Sequence, residues 1–170
     1  MQNTNFLQEK IQSNLPSKAS DHRFFGQIPN GATSYFLKQL LHNLDRFCLC
    51  ITSDTQQAIE IEQSLKFYQG NTDNILIFPD WETLPYDTFS PHEDIISQRL
   101  KTLSQLPFVK KGILVLPIST LLNRVAPKSF LQSHSLTLAL GQQFDIGHYR
   151  TQLESVGYRY VDTVYEHGEF

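Results

Sequence analysis

Phe47-Cys48-Leu49-Cys50-Ile51-Thr52 is a nearly continuous apolar run, the pattern of a strand buried on both faces. Ile75-Leu76-Ile77-Phe78, stopped by Pro79, repeats that pattern, and Gly112 to Pro117 repeats it again. Helical patterns precede and separate the three runs. From Thr33 onward, Phe36, Leu37, Leu40, Leu41 and Leu44 form one apolar stripe at helical spacing. After the first run, Ser53 or Asp54 caps a helix with Ala58, Ile61, Leu65 and Tyr68 on one face, closed by Gly70-Asn71. Before the third run, Ser90-Pro91-His92-Glu93 reads as a helix start. Ser90 is the N-cap, Pro91 the first helical residue and Glu93 the residue reaching back. Ile95, Ile96, Leu100 and Leu103 supply its apolar face. Helix, strand, helix, strand, helix, strand, with connections suited to right-handed crossovers, predicts an α/β fold: an open parallel sheet with helices on both faces.

The flanks read differently. Phe6, Leu7, Ile11 and Leu15 fit a short amphipathic helix ended by Pro16. Residues 79–92 form a long irregular loop. Ser119 caps a short helix carrying Leu121, Leu122 and Val125, ended by Pro127. Beyond about residue 134 the texture changes. Ser135 to Leu140 alternates like a half-exposed strand, and a helix from Asp145, apolar at Tyr149, Leu153 and Val156, ends at Gly157 as its C′ residue. Tyr158 to Phe170 reads as one or two strands that stop without a closing partner. The expected organisation is a lead-in over 1–20, an α/β domain over 21–134, and the truncated first part of a second, small α/β domain over 135–170.

The chain has 170 residues, 40% apolar and 18% charged, with 14 basic against 17 acidic side chains for a net charge of −3. This composition excludes intrinsic disorder, and the length suffices for a core without disulfide or metal. The negative balance, with no basic run longer than Lys110-Lys111, speaks against a stand-alone nucleic-acid binder. Cys48 and Cys50 are expected as reduced, inert core thiols. The first twenty residues lack the apolar core of a signal peptide, and no apolar run approaches a membrane span, so a cytoplasmic protein without membrane contact is expected.

Gly26-Gln27-Ile28-Pro29-Asn30-Gly31-Ala32-Thr33 is the most informative motif. A phosphate-binding loop reads G-x-x-x-x-G-K-[ST] and opens a helix. Gly26, Gly31, Thr33 and the following helix are in place, but Ala32 stands where the Lys would supply a cation to the β- and γ-phosphates. Pro29 also removes one of the loop's amides. This is a plain turn or a degenerate phosphate loop, with anion binding at the helix N-terminus still open. The acidic loop with Asp80, Glu82, Asp87, Glu93 and Asp94 shows no spacing that defines a carboxylate pair. None of the six histidines sits at metal-ligand spacing with another His or Cys, and no nucleophile motif is present. No catalytic residue, no metal and no cofactor are expected in this segment.

Asp80-Trp81-Glu82-Thr83-Leu84-Pro85-Tyr86-Asp87, then Phe89-Ser90-Pro91-His92, Asp94-Ile95-Ile96 and Arg99-Leu100, resemble the N-terminal region of the bacterial transcription-repair coupling factors, the Mfd family. Gly157-Tyr158-Arg159, Val161-Asp162 and Glu166-His167-Gly168-Glu169 do the same, and the similarity runs from roughly Arg23 to Phe170. The resemblance implies a parent that is an ATP-dependent DNA translocase, freeing RNA polymerase stalled at lesions and recruiting the excision-repair protein UvrA. ATP and Mg belong to its downstream motor. It further implies likeness to the helicase-like first domain of UvrB, hence a degenerate P-loop/helicase-like fold for 21–134, and a UvrA-binding module beginning at 135. Tyr158, Arg159, Glu169 and Phe170 match the start of that module's signature and are the partner-binding candidates. Arg159 would meet an acidic patch on a partner, or else pair with Asp162 or Glu169 of this chain. An intramolecular contact with the parent's C-terminal region is also implied.

The leading expectation is a non-catalytic adaptor segment. The alternatives are a divergent ATP-binding domain using Gly26–Thr33, and a DNA-binding module using Trp81, Tyr86 and Lys110-Lys111.

Overall fold

A computed structural model of the chain describes all residues except 1–8, 10, 12, 17, 19, 30, 45, 71, 72, 85, 86 and 136–139, and the side chains of 132–134. Two compact units emerge, residues 1–80 with 105–123, and residues 81–104 with 124–170.

The first unit holds α1 (Ala32–Asn43), β1 (Phe47–Thr52), α2 (Thr55–Gln69), β2 (Ile75–Ile77) and β3 (Gly112–Pro117). The strands make a parallel sheet in the order β1-β3-β2, so both crossovers are those of an open α/β sheet. Phe47 lies opposite Gly112 and Thr52 opposite Pro117, while Ile75 and Ile77 face Ile113 and Val115 from the other side. The α/β reading of the sequence therefore holds, strand by strand. The core joins Ala58, Ile61 and Leu65 of α2 to Ile75, Ile113 and Val115 of the sheet, with Leu37, Leu41, Cys48 and Cys50 packed against it. Leu65 and Val115 are fully buried, each contributing about 1.5–3 kcal/mol through burial. Burial pushes the Cys48 and Cys50 thiols up; Arg46 pulls Cys48 part of the way back, whereas Cys48 adds to the rise at Cys50.

Local chemistry explains the boundaries. Asp54 caps α2 as expected, its carboxylate accepting the Gln57 amide at 2.8 Å, while the Gln57 side chain reaches back to the Ser53 amide at 3.0 Å. The Gln57 amide, together with the Ser53 hydroxyl donating at 2.7 Å, holds the Asp54 carboxyl below its ordinary value. Gly70 ends α2 at φ +69°. Gly112 opens β3 at φ +139°, and a Cβ there would lie 2.3 Å from the Asn74 carbonyl oxygen, so no side chain fits.

Three local expectations are corrected here. β1 is not buried on both faces: it is an edge strand, and Leu49 and Ile51 remain 53% and 49% exposed, opposite the side carrying Cys48 and Cys50. The most buried residues of α1 are the polar Ser34 and Gln39, with the Gln39 amide donating to the Tyr35 hydroxyl at 2.9 Å. Ser119 does not cap a helix. Pro117 begins a 3-10 turn over Ile118–Leu122, and the Ser119 hydroxyl donates to the Asp80 carboxylate at 2.5 Å.

The second unit contains α3 (Glu93–Gln105, whose last residue groups with the first unit), α4 (Lys128–His134) and α5 (Ile146–Ser155). α3 starts two residues later than Ser90-Pro91 suggests. His92 takes the cap position, its carbonyl accepting from Ile95 and Ile96 and its Nδ1 from the Asp94 amide at 3.3 Å. The buried residues of α3 are the polar Arg99 and Thr102; of the apolar face read from the sequence, Ile95, Ile96 and Leu103 are half-buried and only Leu100 is exposed. α4 follows Pro127 where only a helix end is expected; Pro127 caps it, its carbonyl accepting from Leu131. α5 agrees with expectation at both ends. Asp145 accepts the His148 amide at 3.1 Å. Gly157 at φ +94° and Tyr158 return their amides to Glu154 and Leu153, a Schellman close.

At the N-terminus, Glu9, Ile11 and Ser13 are helical and Ile11 is buried, while Phe6 and Leu7 lie outside the described residues. The interior of the strand expected over 135–140 also lies outside them.

Candidate functional site

The Gly26–Thr33 stretch precedes α1. Residues 21–29 are irregular, and the helix begins at Ala32 with Gly31 as its cap at φ +85°. The Ala32 amide is already engaged, donating to the Pro29 carbonyl at 3.0 Å. Gly26 and Gly31 face open space, with nothing within 4 Å of an added Cβ. Thr33 sits half-buried in the first turn.

The acidic loop is tied down locally. Asp80 holds Ser119, and the Asp87 carboxylate accepts the Leu84 amide at 2.7 Å. Asp94 lies 3.4 Å from both His92 and His167. Among the described residues no group of three His, Cys, Asp or Glu is arranged to hold a metal. Trp81 is covered by the Arg99 guanidinium, 4.0 Å above its ring. Trp81 and Lys110-Lys111 fall in different compact units, and Tyr86 lies outside the described residues.

The partner-binding candidates converge. Arg159 and Glu169 form a parallel β-bridge, not the strands expected over 158–170. The Arg159 amide donates to the Gly168 carbonyl at 2.8 Å, the Phe170 amide to the Arg159 carbonyl at 2.9 Å, and the Val161 amide to the Phe170 carbonyl at 3.0 Å. The nine residues between Arg159 and Glu169 are too few for a longer parallel ladder, which requires a crossover of a dozen or more. The Glu169 carboxylate fills the loop instead, accepting the amides of Tyr165 and Glu166 at 2.9 and 3.2 Å. These hydrogen bonds, with the charge of Arg159, hold its carboxyl below the usual glutamate value. The Arg159 guanidinium lies 3.6 Å from Glu169 and 3.8 Å from Glu166, so its pairing in this chain is with these two and not with Asp162. The loop also meets α3: the His167 ring contacts the Ser97 hydroxyl at 3.2 Å and Asp94.

Sequence reading missed Arg150 and Tyr160. The Arg150 guanidinium stacks 4.1 Å over the Tyr160 ring, and Tyr160 meets Phe170 edge-on at 5.8 Å. Their ten-residue separation carries no periodic signal, because the Schellman turn folds one back onto the other. Tyr158 and Tyr160 are partly exposed, and Tyr165 stands 85% exposed at the loop tip.

No family model matches the chain. The transcription-repair-coupling factor of Escherichia coli is 41% identical to it over 164 residues, 96% of the chain. That of Haemophilus influenzae is 40% identical over 160 residues, 94% of the chain. The chain is homologous to the transcription-repair-coupling factors. A more distant one, from Staphylococcus haemolyticus, is 30% identical over 147 residues. The chain spans 14% of the length of the first two coupling factors. At 96% coverage the coupling-factor match takes in both compact units. No helix among the described residues is long and apolar enough to cross a membrane.

Proposed function

We propose that this chain is a non-catalytic adaptor segment from the N-terminal region of a bacterial transcription-repair coupling factor, and that it helps bring UvrA to RNA polymerase stalled at a DNA lesion. The observation that carries the reading is the match to coupling factors along nearly the whole chain. ATP-driven translocation on DNA, release of the polymerase and the bound ATP and Mg belong, in this reading, to other parts of the parent protein in the bacterial cytoplasm. Ala32 supports the lack of catalysis, since it leaves the loop before α1 without the cation a nucleotide needs.

The surface assigned to UvrA lies in the second unit, around Tyr158, Arg159, Glu169 and Phe170. Its support is physical: exposed tyrosines and arginines on a backbone pinned by the Glu169 carboxylate suit a protein contact. The same surface is a candidate for the intramolecular contact with the parent's C-terminal region, which would compete with UvrA.

The test is calorimetric titration of UvrA into this chain, and into a version lengthened at Phe170 by about fifty residues, the scale of a small domain, taken from the segment that follows the match in the Escherichia coli factor. Binding to either supports the adaptor reading. Silence from both overturns it.

A further inference from the structure

Arg150 is held at two points, and one end of it is open. Its guanidinium lies flat over Tyr160, 4.1 Å from the ring centre. Its Nε donates to the Glu154 carboxylate at 3.2 Å, one turn along α5. Tyr160 is itself braced edge-on by Phe170. Nη1 and Nη2 have no hydrogen-bond partner among the described residues, and the side chain is 51% exposed. Arg159 is different, with its guanidinium directed to Glu166 and Glu169 of its own loop.

A guanidinium fixed in this way has already lost most of its rotamer freedom, and its end-on N–H pair matches the two oxygens of a carboxylate. Preorganisation of this kind lowers the cost of association, and arginine is among the residues that dominate protein interfaces.

We propose that Arg150, clamped on Tyr160, is a carboxylate anchor: it takes one Asp or Glu side chain of a partner protein end-on through Nη1 and Nη2. The inference rests on the adaptor reading above and adds to it a residue and the chemistry of the partner's matching group. Glu154 orients the fork from the Nε side and leaves the end-on side to the partner. Tyr160 sets the plane of the fork, and Phe170 ties that plane to the partner-facing segment.

The test uses UvrA as the probe, with whichever of the two proteins above binds it. Arg150→Lys keeps the positive charge and the pairing with Glu154 but loses the planar fork. It is expected to weaken binding by about tenfold, the loss of a good charge-assisted pair, while the melting temperature stays within a few degrees. Glu154→Gln keeps an acceptor for Nε and is expected to change affinity less than about twofold. Affinity of Arg150→Lys within twofold of the parent overturns the anchor and leaves the adaptor reading standing. Equal losses in both variants also overturn it, since they would report the integrity of α5. Absence of binding by the unsubstituted proteins overturns the anchor together with the adaptor reading.

Discussion

The Arg99 guanidinium lies 4.0 Å above the ring of Trp81, and Arg99 is only 2% exposed. A cation buried on an aromatic face thus shares one face of α3 with the half-buried Ile95, Ile96 and Leu103. Long loops are ordinarily the least ordered part of an α/β domain. Here an indole at the start of the 79–92 loop is held to a helix of its own unit.

Arg99→Ala is therefore expected to destabilise the protein by about 2 kcal/mol or more, the scale of emptying a buried site. The coupling between Arg99 and Trp81 in a double-mutant cycle with Trp81→Leu should be about 1 kcal/mol. Urea unfolding followed by far-UV dichroism in all four proteins, and by Trp81 fluorescence in the parent and Arg99→Ala, measures both. Additive losses would show that the two side chains do not interact.

Gly112→Ala should cost about 2 kcal/mol or more, because it combines a positive φ with a Cβ driven into the Asn74 carbonyl. That carbonyl accepts the Ile113 amide at 2.9 Å, so the damage falls on the β2–β3 pairing. A lower urea midpoint and faster amide exchange at Ile75–Ile77 are the expected readouts. An unchanged midpoint would contradict the geometry at the start of β3.

The Glu169 carboxyl, depressed by the amides of Tyr165 and Glu166 and by Arg159, links the loop to pH. A depressed carboxyl stabilises the folded loop fully above the ordinary glutamate value and loses that contribution as pH falls through the folded value. Amide protection at Tyr165 and Glu166 should thus hold at neutral pH and drop in acid. Glu169→Gln should give weaker protection at neutral pH and a flatter acid profile. Identical profiles for the two proteins would remove the carboxylate from that role.

The degenerate loop before α1 yields a nucleotide test. With Ala32 in the cation's place, Mg-ATP titration is expected to give no measurable heat at micromolar protein. Micromolar binding that disappears in Gly31→Val would revive the ATP-binding alternative.

The sheet was legible because each strand is a short apolar run, and a run of that kind leaves little choice but burial. Which strand is covered on both faces was not legible, since Phe47–Thr52 and Gly112–Pro117 look alike in sequence; in the structure Leu49 and Ile51 lie on an open face while Ile113 to Leu116 are buried. The burial of Arg99 was not legible, because an arginine in a helical pattern normally marks the solvent side and its stacking on the Trp81 indole leaves no trace in the spacing. Pro127 was read as a terminator when it equally suits the start of α4. At the candidate site, Arg159 and Glu169 were found through the resemblance of their neighbours to coupling factors. Arg150 and Tyr160 were not, because their contact is made by a turn and not by a repeat.

The parallel sense of the Arg159–Glu169 bridge has a mechanical consequence. In an antiparallel hairpin, tension applied at the two ends opens hydrogen bonds one after another, like a zipper. Where residues 159–161 and 168–170 run the same way, the same tension slides one segment along the other. The hydrogen bonds of Arg159, Val161 and Phe170 then share the load. A segment built in this way resists being pulled apart lengthwise, whichever protein is pulling.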